Sequence, residues 1–126
     1  MPELKKYKMF IDGEWVDSES KKTFETLNPE NNEPWAVAPE ASAKDVDRAV
    51  KAAQKAFEGE WPKLLPRDRA KFLRAIADQL RKNAEMLGEI ETIDTGKLFR
   101  ETKQQATYIA EYYDYYAGLA DKVEGT

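Results

Sequence analysis

Apolar and polar positions follow a period of two over the first forty residues and a helical period afterwards. In "YKMFIDGEWVDS", Met9 and Ile11 alternate with Lys8 and Phe10. Asp12-Gly13 supplies a two-residue turn that matches strand twist, because glycine accepts positive φ at little cost, and a β-hairpin is predicted. "TFETLNPENNEPWAVAP" reads as a second extended run, a turn rich in Asn, Pro and Glu, and a short strand ending near Pro39. A lone hairpin is marginal in water, so these strands need further partners. Repeats and low-complexity tracts are absent from the sequence.

From Ser42 onward the period lengthens to about 3.6. "SAKD" fits a capping box, with Ser42 as N-cap and Asp45 three residues later. It opens a helix over roughly 43 to 57 whose apolar stripe is Val46, Ala49, Val50, Ala53 and Phe57. Gly59, Pro62 and Pro66 break that helix, and Pro66 suits the first turn of a second one with the stripe Ala70, Leu73, Ile76, Ala77 and Leu80. Asn83, Met86, Leu87, Ile90 and Ile93 indicate a third helix or a bent continuation of the second, closed by Gly96 in a left-handed conformation. A last helix starts near Phe99, carries Ile109, Tyr112, Tyr113, Tyr116, Leu119, Ala120 and Val123, and ends at Gly125. The organisation expected is a strand segment over 1–40 and a helical segment over 41–126, both belonging to one incomplete cofactor-binding domain.

Composition narrows the chemistry. The chain has 126 residues, of which 41% are hydrophobic, enough for one domain. Twenty basic and twenty-four acidic side chains give a net charge of -4, which argues against a nucleic-acid partner. No stretch approaches the roughly 20 apolar residues of a membrane span, and "MPELKKYKMFIDGEW" has no signal-like apolar run, so a cytoplasmic, soluble protein is expected. Cysteine and histidine are both absent. That inventory removes disulfides, thiolate and imidazole metal sites, thiol nucleophiles and histidine bases from this chain.

The motifs "FIDGEWVDS", "LNPENNE", "ASAKDVDRAVKAAQKAF", "WPKLLPRDRAKFLRAIADQL", "ETIDTGK" and "YYAGLADKVEGT" stand in an order and spacing that resemble the N-terminal part of the NAD(P)-dependent aldehyde dehydrogenase superfamily. The resemblance covers nearly the whole chain and departs from the family at Leu98, where many relatives carry Pro. It implies an α/β parent fold with a Rossmann-like cofactor domain, of which this chain is the N-terminal piece: a β-hairpin and short strands followed by three or four α-helices. It also implies an enzyme that oxidises an aldehyde to a carboxylic acid with NAD or NADP, through a cysteine nucleophile and a glutamate base. No residue of this chain takes those catalytic or cofactor-binding roles, so the chain alone is expected to be inactive and to bind no cofactor. Its partners would be the remainder of an aldehyde dehydrogenase chain, or further copies of itself in an oligomer. The alternative is a free-standing helical interaction module derived from the family.

Three groups are candidate sites. Asp94 precedes Thr95 and Gly96, and from the residues alone it reads as part of a helix stop. The resemblance implies a second role, a structural monovalent-cation site made by Asp94 with backbone oxygen at Thr26 or Leu27, a donor set that suits a hard cation. In "YIAEYYDYYAG", Tyr108, Tyr112, Tyr115 and Tyr116 fall at helical spacings with Glu111 and Asp114 among them. Acid beside the rings argues against phosphates, and packing against the cofactor domain or another subunit is expected. Arg67, Arg69, Lys71 and Arg74 read as a solvated helix face rather than an anion site.

Overall fold

The hairpin forms where the Asp-Gly pair places it. The computed structural model describes residues 4–122. Strand β2 (Met9–Ile11) pairs antiparallel with β3 (Glu14–Val16), joined by Asp12 and Gly13 at φ 52° and 82°. Positive φ at both central residues is the geometry of the type I′ turn, whose twist suits the flanking strands. Ile11 is buried, while Phe10 and Trp15 stand directly opposite each other on the outer face with ring centroids 5.0 Å apart.

The second extended run also folds back on itself. Strand β4 (Thr23–Asn28) pairs antiparallel with β5 (Glu33–Pro39). The Asn28 side chain accepts from the Glu30 N–H at 3.0 Å, and Asn32 takes φ 59° to complete the turn. Strand β1 (Lys5–Lys6) adds on the far side of β5, in parallel, giving the order β1-β5-β4. Alternation could not announce β1, because two consecutive lysines carry no period. Its pairing is extended by Tyr7, whose N–H donates to the Val37 carbonyl at 2.9 Å.

Four helices follow. Helix α1 (Ala43–Glu58) begins with the capping box in full: the Ser42 hydroxyl accepts from the Asp45 N–H, and the Asp45 carboxylate accepts from the Ser42 N–H. Helix α2 (Pro66–Lys82) has Pro66 at its first position, where the missing N–H removes no helical bond. A short 3₁₀ turn at Trp61–Lys63 lies between them. Asn83, at φ -108° and ψ 13°, separates α2 from α3 (Ala84–Thr95), so the third helix is distinct. Gly96 ends α3 at φ 73°, in the left-handed region, and α4 runs over Phe99–Leu119. The expected contributions of Val123 and Gly125 lie outside the described residues.

The chain divides at Lys63/Leu64 into two compact units, so α1 groups with the strands. Within the first unit α1 packs against β2. Within the second, α4 packs against both α2 and α3.

The faces that make these contacts differ from the stripes of large apolar residues. Along α4 the buried positions are Thr102, Ala106, Ala110 and Ala117, whereas Ile109, Tyr112, Tyr116 and Leu119 are exposed. Along α1, Asp45 is buried and Val46, Val50 and Phe57 are exposed. Small side chains let helix backbones approach closely, and the approach is tightest at Gly88. A Cβ built there would lie 2.8 Å from the backbone nitrogen of Lys103, so only glycine fits. Beside it the Thr102 hydroxyl donates to the Gly88 carbonyl at 2.9 Å and stands 2.9 Å from the Thr92 hydroxyl, which closes the α3–α4 contact with a satisfied polar group.

Candidate functional site

Asp94 occupies the last turn of α3 and is exposed. The corner around it is held by backbone and side-chain bonds. The Gly96 N–H donates to the Thr92 carbonyl at 2.9 Å, the Thr95 hydroxyl donates to the Glu91 carbonyl at 2.6 Å, and Lys97 Nζ pairs with Glu91 Oε1 at 2.6 Å. Thr26 and Leu27 lie in β4, at the point where the ladder with β5 shifts register. Leu27 stands opposite Pro34, which has no N–H to offer its neighbour's carbonyl. Irregular pairing of this kind is where strand carbonyls become available to other donors or to a cation. Thr26 and Leu27 belong to the first compact unit and Asp94 to the second. No group of three or more acidic side chains that could hold a metal occurs among the described residues.

A carboxylate that sequence inspection treated only as a helix cap proves to be a hub. Asp45 is 2% exposed. Its Oδ2 accepts from the Ser42 N–H at 2.9 Å, the Ser42 hydroxyl at 2.8 Å and the Ser18 hydroxyl at 3.0 Å, and both carboxylate oxygens lie 3.2 Å from the Glu19 N–H. The Ser42 N–H and then the Ser42 hydroxyl, joined by Glu19 and Ser18 against the opposing effect of burial, hold the Asp45 carboxyl down at about 2. The clamp ties the segment after β3 to the start of α1. Its only advance signal is the acidic third residue of the capping box, because Ser18 and Glu19 are more than twenty residues away in sequence.

The tyrosines of α4 form one exposed ladder. Tyr108 and Tyr112 meet edge to face with centroids 5.1 Å apart and hydroxyls 3.2 Å apart, and Tyr115 and Tyr116 form a second edge-to-face pair at 5.4 Å. The Tyr108 hydroxyl beside it raises the pKa of Tyr112. The basic residues of α2 do structural work: Arg69 donates to the Leu64 carbonyl at 3.1 Å, and Lys71 pairs with Asp68 at 2.7 Å. Arg81 of the same helix pairs with Asp114 of α4. No Gly-rich phosphate-binding turn exists, since the glycines stand at 13, 59, 88, 96, 118 and 125 and no two are two positions apart. The residues present therefore do not make a dinucleotide site, and no cofactor step can be derived from them.

Residues 15–126 match the aldehyde dehydrogenase family profile. The chain belongs to the aldehyde dehydrogenase family. It is 44% identical over 124 residues to (Z)-2-((N-methylformamido)methylene)-5-hydroxybutyrolactone dehydrogenase of Acinetobacter baylyi, a match covering 98% of this chain and 25% of that protein. Against betaine aldehyde dehydrogenase of Bacillus subtilis the identity is 42% over 118 residues, covering 93% of this chain and 24% of the relative. The fold superposes on the aldehyde dehydrogenase of Bacillus cereus, solved as an NAD+ complex, with a TM-score of 0.93 and 39% identity over 97% of this chain and 25% of that one. The short strands and four helices are thus an N-terminal piece of the aldehyde dehydrogenase fold. The chain spans about a quarter of the length of these relatives.

Proposed function

We propose that this chain is the N-terminal segment of an NAD(P)-dependent aldehyde dehydrogenase that converts an aldehyde to a carboxylic acid, and that the 126 residues by themselves are inactive. The observation that carries the reading is a family match over residues 15–126 in a chain with no cysteine. The thiol nucleophile, its base and the dinucleotide site then belong to further sequence of a longer protein. This segment braces that apparatus. Its apolar faces, Val46, Val50 and Phe57 on α1 and the groove of Phe72, Ile76, Met86 and Leu87 on α2 and α3, are surfaces for the remainder of the subunit or for another copy. The choice between NAD and NADP is made outside this chain, and a cytoplasmic location is part of the same reading. No helix among the described residues is long and apolar enough to cross a membrane.

The test is turnover. Purified chain, freed of host enzymes, should form no NADH or NADPH from short aliphatic or betaine-type aldehydes above a buffer blank. Aldehyde-dependent reduction would overturn the reading. The same proposal assigns Asp94, Thr26 and Leu27 to a structural monovalent-cation site in the full-length parent. Thermal stability of the parent should rise with potassium or sodium and lose that dependence in Asp94→Asn, by ordinary ligand linkage. An unchanged salt response in the variant would leave Asp94 with a helix-terminating role alone.

A further inference from the structure

The ladder on α4 has a chemistry that the exposed faces of α1 and α2 lack. Tyr108, Glu111, Tyr112, Tyr115 and Tyr116 line a groove of about 380 Å³ along one side of the helix, opposite its buried stripe of Thr102, Ala106, Ala110 and Ala117. The four rings are each at least half exposed. A surface made to be covered by the chain's own interior would be expected to be aliphatic, as on α1. This one is built of ring faces, hydroxyls and a carboxylate.

Each feature selects the same ligand class. Ring faces carry the negative part of the aromatic quadrupole, so four of them beside Glu111 repel anions and attract cations. The hydroxyls of Tyr108 and Tyr112 lie 3.2 Å apart and satisfy each other, which reduces the groove's capacity to bind sugars or phosphates through directed hydrogen bonds. A hard metal ion wants several oxygen ligands, and one carboxylate is too few. Asp114 is drawn away to Arg81, which leaves Glu111 as the carboxylate of the groove. What fits is a bulky, weakly hydrated cation that gains from contact with several rings and one negative charge. We propose that the Tyr108–Tyr116 groove binds a small organic cation bearing a methylated ammonium group. The site is complete within this chain and does not depend on the enzymatic reading above.

Choline and its uncharged carbon isostere 3,3-dimethyl-1-butanol separate this from simple hydrophobic packing. Titrated into the purified chain and followed by tyrosine fluorescence and ring proton shifts, choline should bind at least about fivefold more tightly than the isostere, the margin that cation–π contacts provide. Tyr112→Phe keeps the ring and should bind within about twofold of the native chain, whereas Tyr112→Leu and Glu111→Gln should each weaken choline by about fivefold or more. All three positions are exposed, and circular dichroism checks that α4 is retained. Equal binding of the two ligands, or no saturable change with choline up to about 0.1 M, would sink the proposal and leave the ladder as a packing face. Neither result bears on the family reading, whose test is turnover.

Discussion

The carboxylate of Asp45 sits at the start of α1 with hydrogen bonds converging on it from Ser18, Glu19 and Ser42. A group stabilised in this way as an anion is harder to protonate in the folded chain than in the unfolded one. Its folded pKa of about 2 lies below the ordinary 3.8, so the unfolded chain binds the proton first as pH falls. The stabilisation is therefore fully present above about pH 4 and disappears as pH falls through about 2. Thermal unfolding of the native chain and of Asp45→Asn should differ most at neutral pH and converge in acid. A gap between them that does not change with pH would mean that the carboxylate charge contributes nothing. The sequence shows half of this site. Ser42 and Asp45 are legible because a capping box is local, whereas Ser18 and Glu19 join only when the strand segment folds back.

Among the elements, the contact between α3 and α4 is the most sharply specified. Gly88 lets the Lys103 backbone approach to a distance that no Cβ tolerates, and the obstructing atoms are backbone, which cannot rotate aside. Gly88→Ala should destabilise the second unit by about 1–3 kcal/mol through overpacking, despite the better intrinsic helix propensity of alanine. Denaturant unfolding measures it, and a stabilised variant would show that the helices can separate at little cost. Helix positions were readable from the sequence nearly to the residue, because Ser42, Pro66 and Gly96 mark boundaries by local backbone chemistry. Helix faces were not. Ranking residues by apolar size selects Val50 or Tyr116, while the helices touch through alanine, glycine and threonine, where the backbones come closest.

For the molecule as a whole, exposed apolar side chains are the dominant feature. Phe57, Leu65, Phe72, Tyr115 and Trp15 are all more than half exposed, and the small side chains that are buried leave little apolar area removed from water. Hydrophobic burial scales with that area, so the isolated chain should be weakly stable and should associate through the uncovered faces. Sedimentation at increasing concentration should show mass above the monomer, and ANS should fluoresce on binding. A monomer with a sharp, concentration-independent melting transition and no dye binding would contradict this.

Local signals determined a great deal here. The Asp12-Gly13 turn, the capping box, the proline at the head of α2 and the left-handed Gly96 each act within a few residues, and the ordered motifs place the chain in its family. The missing cysteine likewise follows from inventory alone. Tertiary structure decided the rest: the parallel pairing of β1 with β5, the register shift at Thr26 and Leu27, the burial of Asp45 and the alanine face of α4. These depend on which surfaces come together across long sequence separations. Periodicity can say that a helix or strand has two faces, but only packing chooses which face is pressed against a neighbour and how closely.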